Sequence, residues 1–166
     1  HRGEGSVVGV IDSGINRSHV AFSGAGHANP LGGYRGYCVS VPSACNNKLV
    51  GLWDFTVGNN GLAPGADTDG HGTHVAATAA GAEFGGMSGV APRANIISYK
   101  ACPDDGDGCD GTALVRSIDQ AVADGVDVIN YSIGGGAQPW SEATSLAFLD
   151  ATDAGIFVAT SAGNSG

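Results

Sequence analysis

The sequence predicts an α/β fold: a parallel β-sheet with helices on both faces, in a three-layer, Rossmann-like topology. Three observations carry that prediction. Short apolar runs that read as strands alternate with helical segments along the whole chain, the pattern that strands joined by right-handed crossovers leave in a sequence. The first such run, Val7-Val8-Gly9-Val10-Ile11, is continuously apolar, as a strand covered on both faces is. The 29 glycines are dispersed and not gathered into a linker, which fits a compact fold with many tight turns.

Taken in order, residues 6–14 form the first strand, ending in Asp12-Ser13-Gly14. An acid at such an end is delivered to the C-terminal edge of the sheet, where open α/β sheets carry their sites. Residues 16–45 are polar and glycine-rich with few periodic signals, and read as loops. Residues 48–55 form the second strand. A loop over residues 56–70 then turns into a helix at His71, because Asp67, Asp69 and Gly70 break regular structure and a run of small helix-competent residues follows. The unpaired N–H groups and partial positive charge of a helix start disfavour an imidazolium, so His71 is expected to stay neutral enough to take a proton. Residues 95–101 form the third strand. Ala113, Leu114, Val115, Ile118, Ala121 and Val122 make a helical stripe over residues 112–124 that Gly125 closes. Residues 126–134 form the fourth strand, residues 142–154 a further helix, and residues 156–161 the fifth strand.

At 166 residues the chain holds one domain, residues 1–166, with a sizeable core. Seven basic residues against 16 acidic ones give a net charge of −9, which argues against nucleic acid or an anionic membrane as partner. No apolar run approaches the roughly 20 residues of a spanning helix. No signal peptide precedes His1, which is read as a processed or engineered end. The four cysteines fall in two pairs, Cys38 with Cys45 and Cys102 with Cys109, each bracketing a loop-like segment. Four cysteines allow three pairings; two local disulfides are the first reading and buried thiols the alternative. Oxidised pairs would mean a secreted, extracellular or periplasmic protein.

Two motifs in this order, Val10-Ile11-Asp12-Ser13-Gly14 and Asp69-Gly70-His71-Gly72-Thr73-His74-Val75-Ala76, resemble those of the subtilisin-like serine proteases, the subtilases of peptidase family S8. The catalytic triad of that family runs Asp, His, Ser. The resemblance implies a subtilisin-like fold with Asp12 as orienting acid and His71 as general base. Ser161-Ala162-Gly163-Asn164-Ser165-Gly166 resembles the segment whose Asn donates to the oxyanion, a role that falls on Asn164. Ser132, Ile133, Gly134 and Gly135 resemble the strand end that pairs with an extended substrate, with Ser161, Ala162 and Gly163 opposite it. Gly106-Asp107-Gly108 aligns with the opposing edge strand of the cleft and reads equally as an acidic surface loop. His74 resembles the second histidine of the motif and is expected to point to the core. Read as metal ligands, His71 and His74 lack the four-residue spacing and intervening Glu of a zinc protease.

No cofactor is expected. The acidic run Asp104-Asp105-Gly106-Asp107-Gly108 invites a calcium reading, but it lacks the distal Glu of an EF-hand loop and reads better as a solvated turn. Asp67 and Asp69 stand beside the base and are expected to favour a basic substrate residue. The nucleophile is missing: no Gly-Thr-Ser occurs in the sequence. The resemblance covers all 166 residues but only the amino-terminal part of a catalytic domain, in the branch with an inserted protease-associated domain, so the fold is expected to be incomplete and inactive alone. The partners it implies are extended polypeptides, the carboxyl-terminal part of the domain and a propeptide. A peptide-binding module that keeps the cleft without cutting is the alternative function. A nucleotide-binding protein is excluded by the lack of a Gly-x-Gly-x-x-Gly after the first strand.

Overall fold

The structure, a computed structural model, describes residues 1–56, 58–106, 108–135 and 138–164. Asp107, Ser165 and Gly166, named above within motifs, lie outside the described residues. Six strands form one parallel sheet: β1 (Val7–Asp12), β2 (Arg35–Gly36), β3 (Leu49–Asp54), β4 (Asn95–Lys100), β5 (Val128–Tyr131) and β6 (Phe157–Thr160). Their spatial order is β2-β3-β4-β1-β5-β6, so the chain starts in the middle and winds outward to both sides. The helices are α1 (Tyr37–Ser40), α2 (His71–Ala80), α3 (Gly111–Asp124) and α4 (Ala143–Asp153).

Side-chain alternation along β1 separates two cores. Val8 and Val10 pack on one face with Leu49, Leu52 and Ile96, under Ala76 and Ala80 of α2. Val7 and Ile11 pack on the other with Ile97, Tyr99 and Ile129, under Leu114, Ile118 and Ala121 of α3 and Ala147 and Ala151 of α4. Helices therefore cover both faces, as the sequence predicts, and the alternation puts Asp12 on the α2 face. The stripe of α3 is capped as its sequence requires. Asp110 accepts a hydrogen bond from the Ala113 N–H, and Gly125, at φ +73°, turns its N–H back onto the Ala121 and Val122 carbonyls.

Two boundaries differ from the expectation. Residues 16–45 contain the short strand β2, the helix α1 and two 3₁₀ turns, which long-range pairing of Arg35 and Gly36 with Gly51 and Leu52 holds together and no local periodicity announces. The fourth strand of the prediction, β5, stops at Tyr131, so Ser132–Gly135 leave the sheet as extended chain. Both local disulfides form, Cys38–Cys45 and Cys102–Cys109, with no free cysteine. No helix among the described residues is long and apolar enough to cross a membrane.

Candidate active site

The parallel register builds the site. Ile11 lies opposite Tyr131, and Tyr131 opposite Thr160. Neighbouring strands are about 4.8 Å apart, so the next residues, Asp12, Ser132 and Ser161, emerge side by side at the C-terminal edge. The Ser161 N–H donates to the Tyr131 carbonyl and its hydroxyl to the Ile133 carbonyl, both at 3.0 Å, which ties the β6 exit to the β5 exit.

Asp12 is 3% exposed. Its Oδ1 accepts from the Ser13 N–H and lies 2.7 Å from Nδ1 of His71. A carboxylate only accepts, so Nδ1 carries the proton and Nε2 of the neutral ring is left as the acceptor. The histidine side chain is 52% exposed, open to a partner on that second nitrogen. The hydrogen bond to Asp12 raises the imidazole above its ordinary value; partial burial opposes this, and the charges of Asp12, Asp69 and Asp67 add to it. The expectation that the helix start keeps His71 more neutral is thus corrected. A helix terminus contributes about 0.3–1 kcal/mol at an exposed site, and a charge-assisted hydrogen bond at 2.7 Å outweighs it.

The loop ahead of α2 is held by carboxylates. Gly70, at φ +98°, stands at the cap position with no side chain to offer. Asp67 caps in its place: Oδ1 accepts from the Gly70 N–H and the Ser13 hydroxyl, Oδ2 from the Thr73 N–H and hydroxyl. Burial pushes the Asp67 carboxyl up, and these donors together hold it below its ordinary value. Asp67 is therefore engaged as a cap and does not border the His71 hollow; Asp69 is exposed and does. Gly72, next to the base, lies directly on Gly14, and a Cβ on either would strike the other loop's backbone. That close approach is what brings the start of α2 onto the end of β1. His74 is exposed on α2, a correction to its expected core position: Ala76 and Ala80 are the buried residues of that helix, and His74 lies off their face.

Two hollows lie at this edge and share Ile133; His71 borders the smaller. One, about 200 Å³, is bordered by Asp12, His71, Ser132, Gly106, Gly108 and the Cys102–Cys109 bridge. The other, about 500 Å³, brings Ile133, Gly134 and Gly135 together with Ser161, Ala162, Gly163 and Asn164. The residues expected to act in catalysis or to bind substrate thus divide between these two hollows, which have Ile133 in common. The described residues of 102–110 form a loop, with Gly106 and Gly108 at φ +79° and +85°, and no strand there opposes β5. Among the described residues no group of three or more His, Cys, Asp or Glu is placed to hold a metal ion. Nor is the acidic turn simply solvated, since Asp104 accepts from the Thr68 and Asp69 N–H groups and pairs with Lys100.

Sequence reasoning missed Ser13, Lys100, Asp104 and Glu142. Ser13 donates its hydroxyl to Asp67 and accepts from the Gly72 N–H at 2.9 Å. Glu142 borders the larger hollow, and burial, with the Glu142 charge, pushes the Tyr131 phenol there up to about 12. The available signal was Lys100 itself, a charge at the end of an otherwise buried strand.

A sequence profile of the Subtilase family matches residues 3–166. The chain belongs to the subtilase family. Among curated subtilases it is 37% identical to Subtilisin-like protease SBT4.15 of Arabidopsis thaliana over 178 residues, covering 96% of this chain and 23% of that protein. It is 39% identical to Subtilisin-like protease SBT1.4 of the same plant, covering 99% and 25%. The crystal structure of a cold-adapted subtilisin-like serine proteinase superposes with a TM-score of 0.71 at 28% identity, covering 99% of this chain and 48% of that one. The chain thus spans about a quarter of the length of these curated subtilases.

Proposed function

We propose that these 166 residues supply the acid, the base and the oxyanion donor of a serine endopeptidase, with the nucleophilic serine contributed by a segment outside them. The observation that carries the reading is the 2.7 Å contact between Asp12 and His71, which border the smaller hollow. As a serine hydroxyl attacks the scissile carbonyl carbon, Nε2 of His71 takes its proton and later returns it to the leaving amine. Asp12 steadies the imidazolium between those steps, and the Asn164 amide donates to the oxyanion. The chemistry requires no cofactor.

An extended polypeptide is the substrate. Its backbone pairs along Ser132–Gly135 and Ser161–Gly163, and a side chain enters the 500 Å³ hollow. The carboxyl-terminal part of the domain covers β6. Support for this comes from the exposure of Phe157, Leu146 and Leu149, and from the half-length match to the solved proteinase. A propeptide occupies the same cleft before activation. The protein is secreted, a reading the two disulfides support.

Fluorophosphonate labelling and casein degradation test the proposal. The intact protein is expected to label on a serine and degrade casein, both lost in His71→Ala, while residues 1–166 alone stay unlabelled. An intact protein that grips extended peptides but never labels would instead be a peptide-binding module.

A further inference from the structure

Lys100 ends β4 in register with Asp12 and is 5% exposed. A buried ammonium needs partners. Among the described residues it has two: Nζ donates to the Ser13 carbonyl at 2.5 Å and pairs with Oδ1 of Asp104 at 2.9 Å. Each partner leads to one half of the acid–base couple. On the acid side, the Ser13 N–H donates to the Asp12 carboxylate. On the base side, the same Oδ1 of Asp104 accepts from the N–H groups of Thr68 at 2.9 Å and Asp69 at 3.3 Å, and the Asp69 carboxylate accepts from the His71 N–H.

We infer that the Lys100–Asp104 ion pair is a positioning device that holds the turn presenting His71 against the loop presenting Asp12. Its kinetic consequences rest on the protease reading; its geometry does not.

Three further observations support it. Asp104 lies inside the loop closed by Cys102–Cys109, whose Cys102 N–H donates to the Asp12 carbonyl at 3.2 Å, so the carboxylate is presented from an anchored turn. Burial pushes the Asp104 carboxyl up, yet Lys100 and the two N–H donors hold it below its ordinary value, the mark of a carboxylate bound in its charged form. The pair is also unlike the exposed Arg2–Glu83 bridge, whose side chains are 49% and 63% exposed and which such exposure makes weak; Lys100 and Asp104 are 6% and 31% exposed.

The test is the titration of His71 in the intact protein, followed by histidine NMR, alongside kcat and KM on a peptide substrate. The charges facing His71 are Asp12, Asp69 and Asp67, and none is altered. In Asp104→Ala the Asp12 contact loosens, so the His71 midpoint falls toward its ordinary value. Misplacement of a catalytic group lowers kcat by roughly tenfold to a hundredfold, with KM little changed. Asp104→Asn keeps an acceptor for both N–H groups and recovers most of the loss. Lys100→Met separates positioning from simple charge, because removing a cation by its field alone would raise the midpoint, whereas loosening the couple lowers it. Should Lys100→Met fail to fold, Lys100→Arg keeps the charge but not the compact ammonium, and must lower the midpoint too. Glu83→Gln, which breaks the exposed bridge, leaves everything unchanged. A raised midpoint in Lys100→Met, or an Asp104→Ala protein with wild-type midpoint and kcat, overturns the inference. An intact protein that cleaves no peptide while its His71 midpoint still falls in both variants would sink the protease reading and keep this one.

Discussion

The two flanks of the sheet edge are built differently. On the β1 and β4 side, Asp12 is 3% exposed, Asp67 has four donors and Asp104 three, and the disulfide loop closes over them. On the β5 and β6 side, Ser161 to Asn164 are exposed, β6 has a neighbour on one edge only, and Phe157 is 68% exposed. The proposed acid and base are therefore held by contacts within these residues. On the same proposal, the Asn164 wall would take its support from the rest of the domain packing on β6. Preorganisation of an acid–base pair is cheap in chain length when two carboxylates and one lysine can do it; preorganisation of an amide donor on an edge strand is not.

That contrast can be broken at several points. The largest effect is expected at the couple itself. Asp12→Asn leaves His71 the wrong tautomer and should cut kcat of the intact protein by about 10⁴-fold, the loss known for the same change in a serine protease of another fold. A loss under tenfold would detach the pair from catalysis. Next comes Asn164→Ala, for which a fall in kcat of about 10²- to 10³-fold is expected, the size known for subtilisin itself; KM should hold.

Stability sharpens the comparison. If the remainder of the domain covers β6, Phe157→Ser in the intact protein costs more than about 2 kcal/mol by urea denaturation, as large-to-small changes in a core do. In an uncovered edge it costs less than about 0.5 kcal/mol. Asp67→Ala on the other flank loses a helix cap and should cost about 1–2 kcal/mol in either case.

The smallest effect is in pH. His71 is raised above its ordinary value, so the base is lost to protonation as pH falls through that raised midpoint. The acid limb of kcat/KM should then lie above pH ~6.5, the value of an unperturbed histidine. Asp69→Asn, which removes one of the raising charges, should move the limb slightly downward.

Much of this was legible in the residues. β1, β3, β4, α3, α4 and β6 lie within two residues of where apolar runs and closing glycines such as Gly125 place them, because burial pattern and capping are local. Asp12 and His71 were legible because the motifs around them resemble those of the subtilases, and the structure shows a packing reason for two glycines of those motifs: a Cβ on Gly72 would strike Gly14, and one on Gly14 would strike Gly65 and Ala66. β2 was not legible, since two residues pair only where β3 already stands. The direction of the His71 shift was misjudged because a helix terminus can be read from sequence, while the distance to a carboxylate 59 residues away cannot.

The order of strands and helices, the subtilase motifs and the chemical types at the site were determined by the sequence alone, since each depends on neighbours within a few positions along the chain. Tertiary structure alone decided that Asp67 is engaged as a cap, that His74 faces solvent, and that Lys100 and Asp104 meet between the two catalytic loops. Beside their local bonds, Asp67 and the Lys100–Asp104 pair are fixed by contacts with residues 35 to 87 positions away, and a charged side chain takes its role from the partner that burial forces on it.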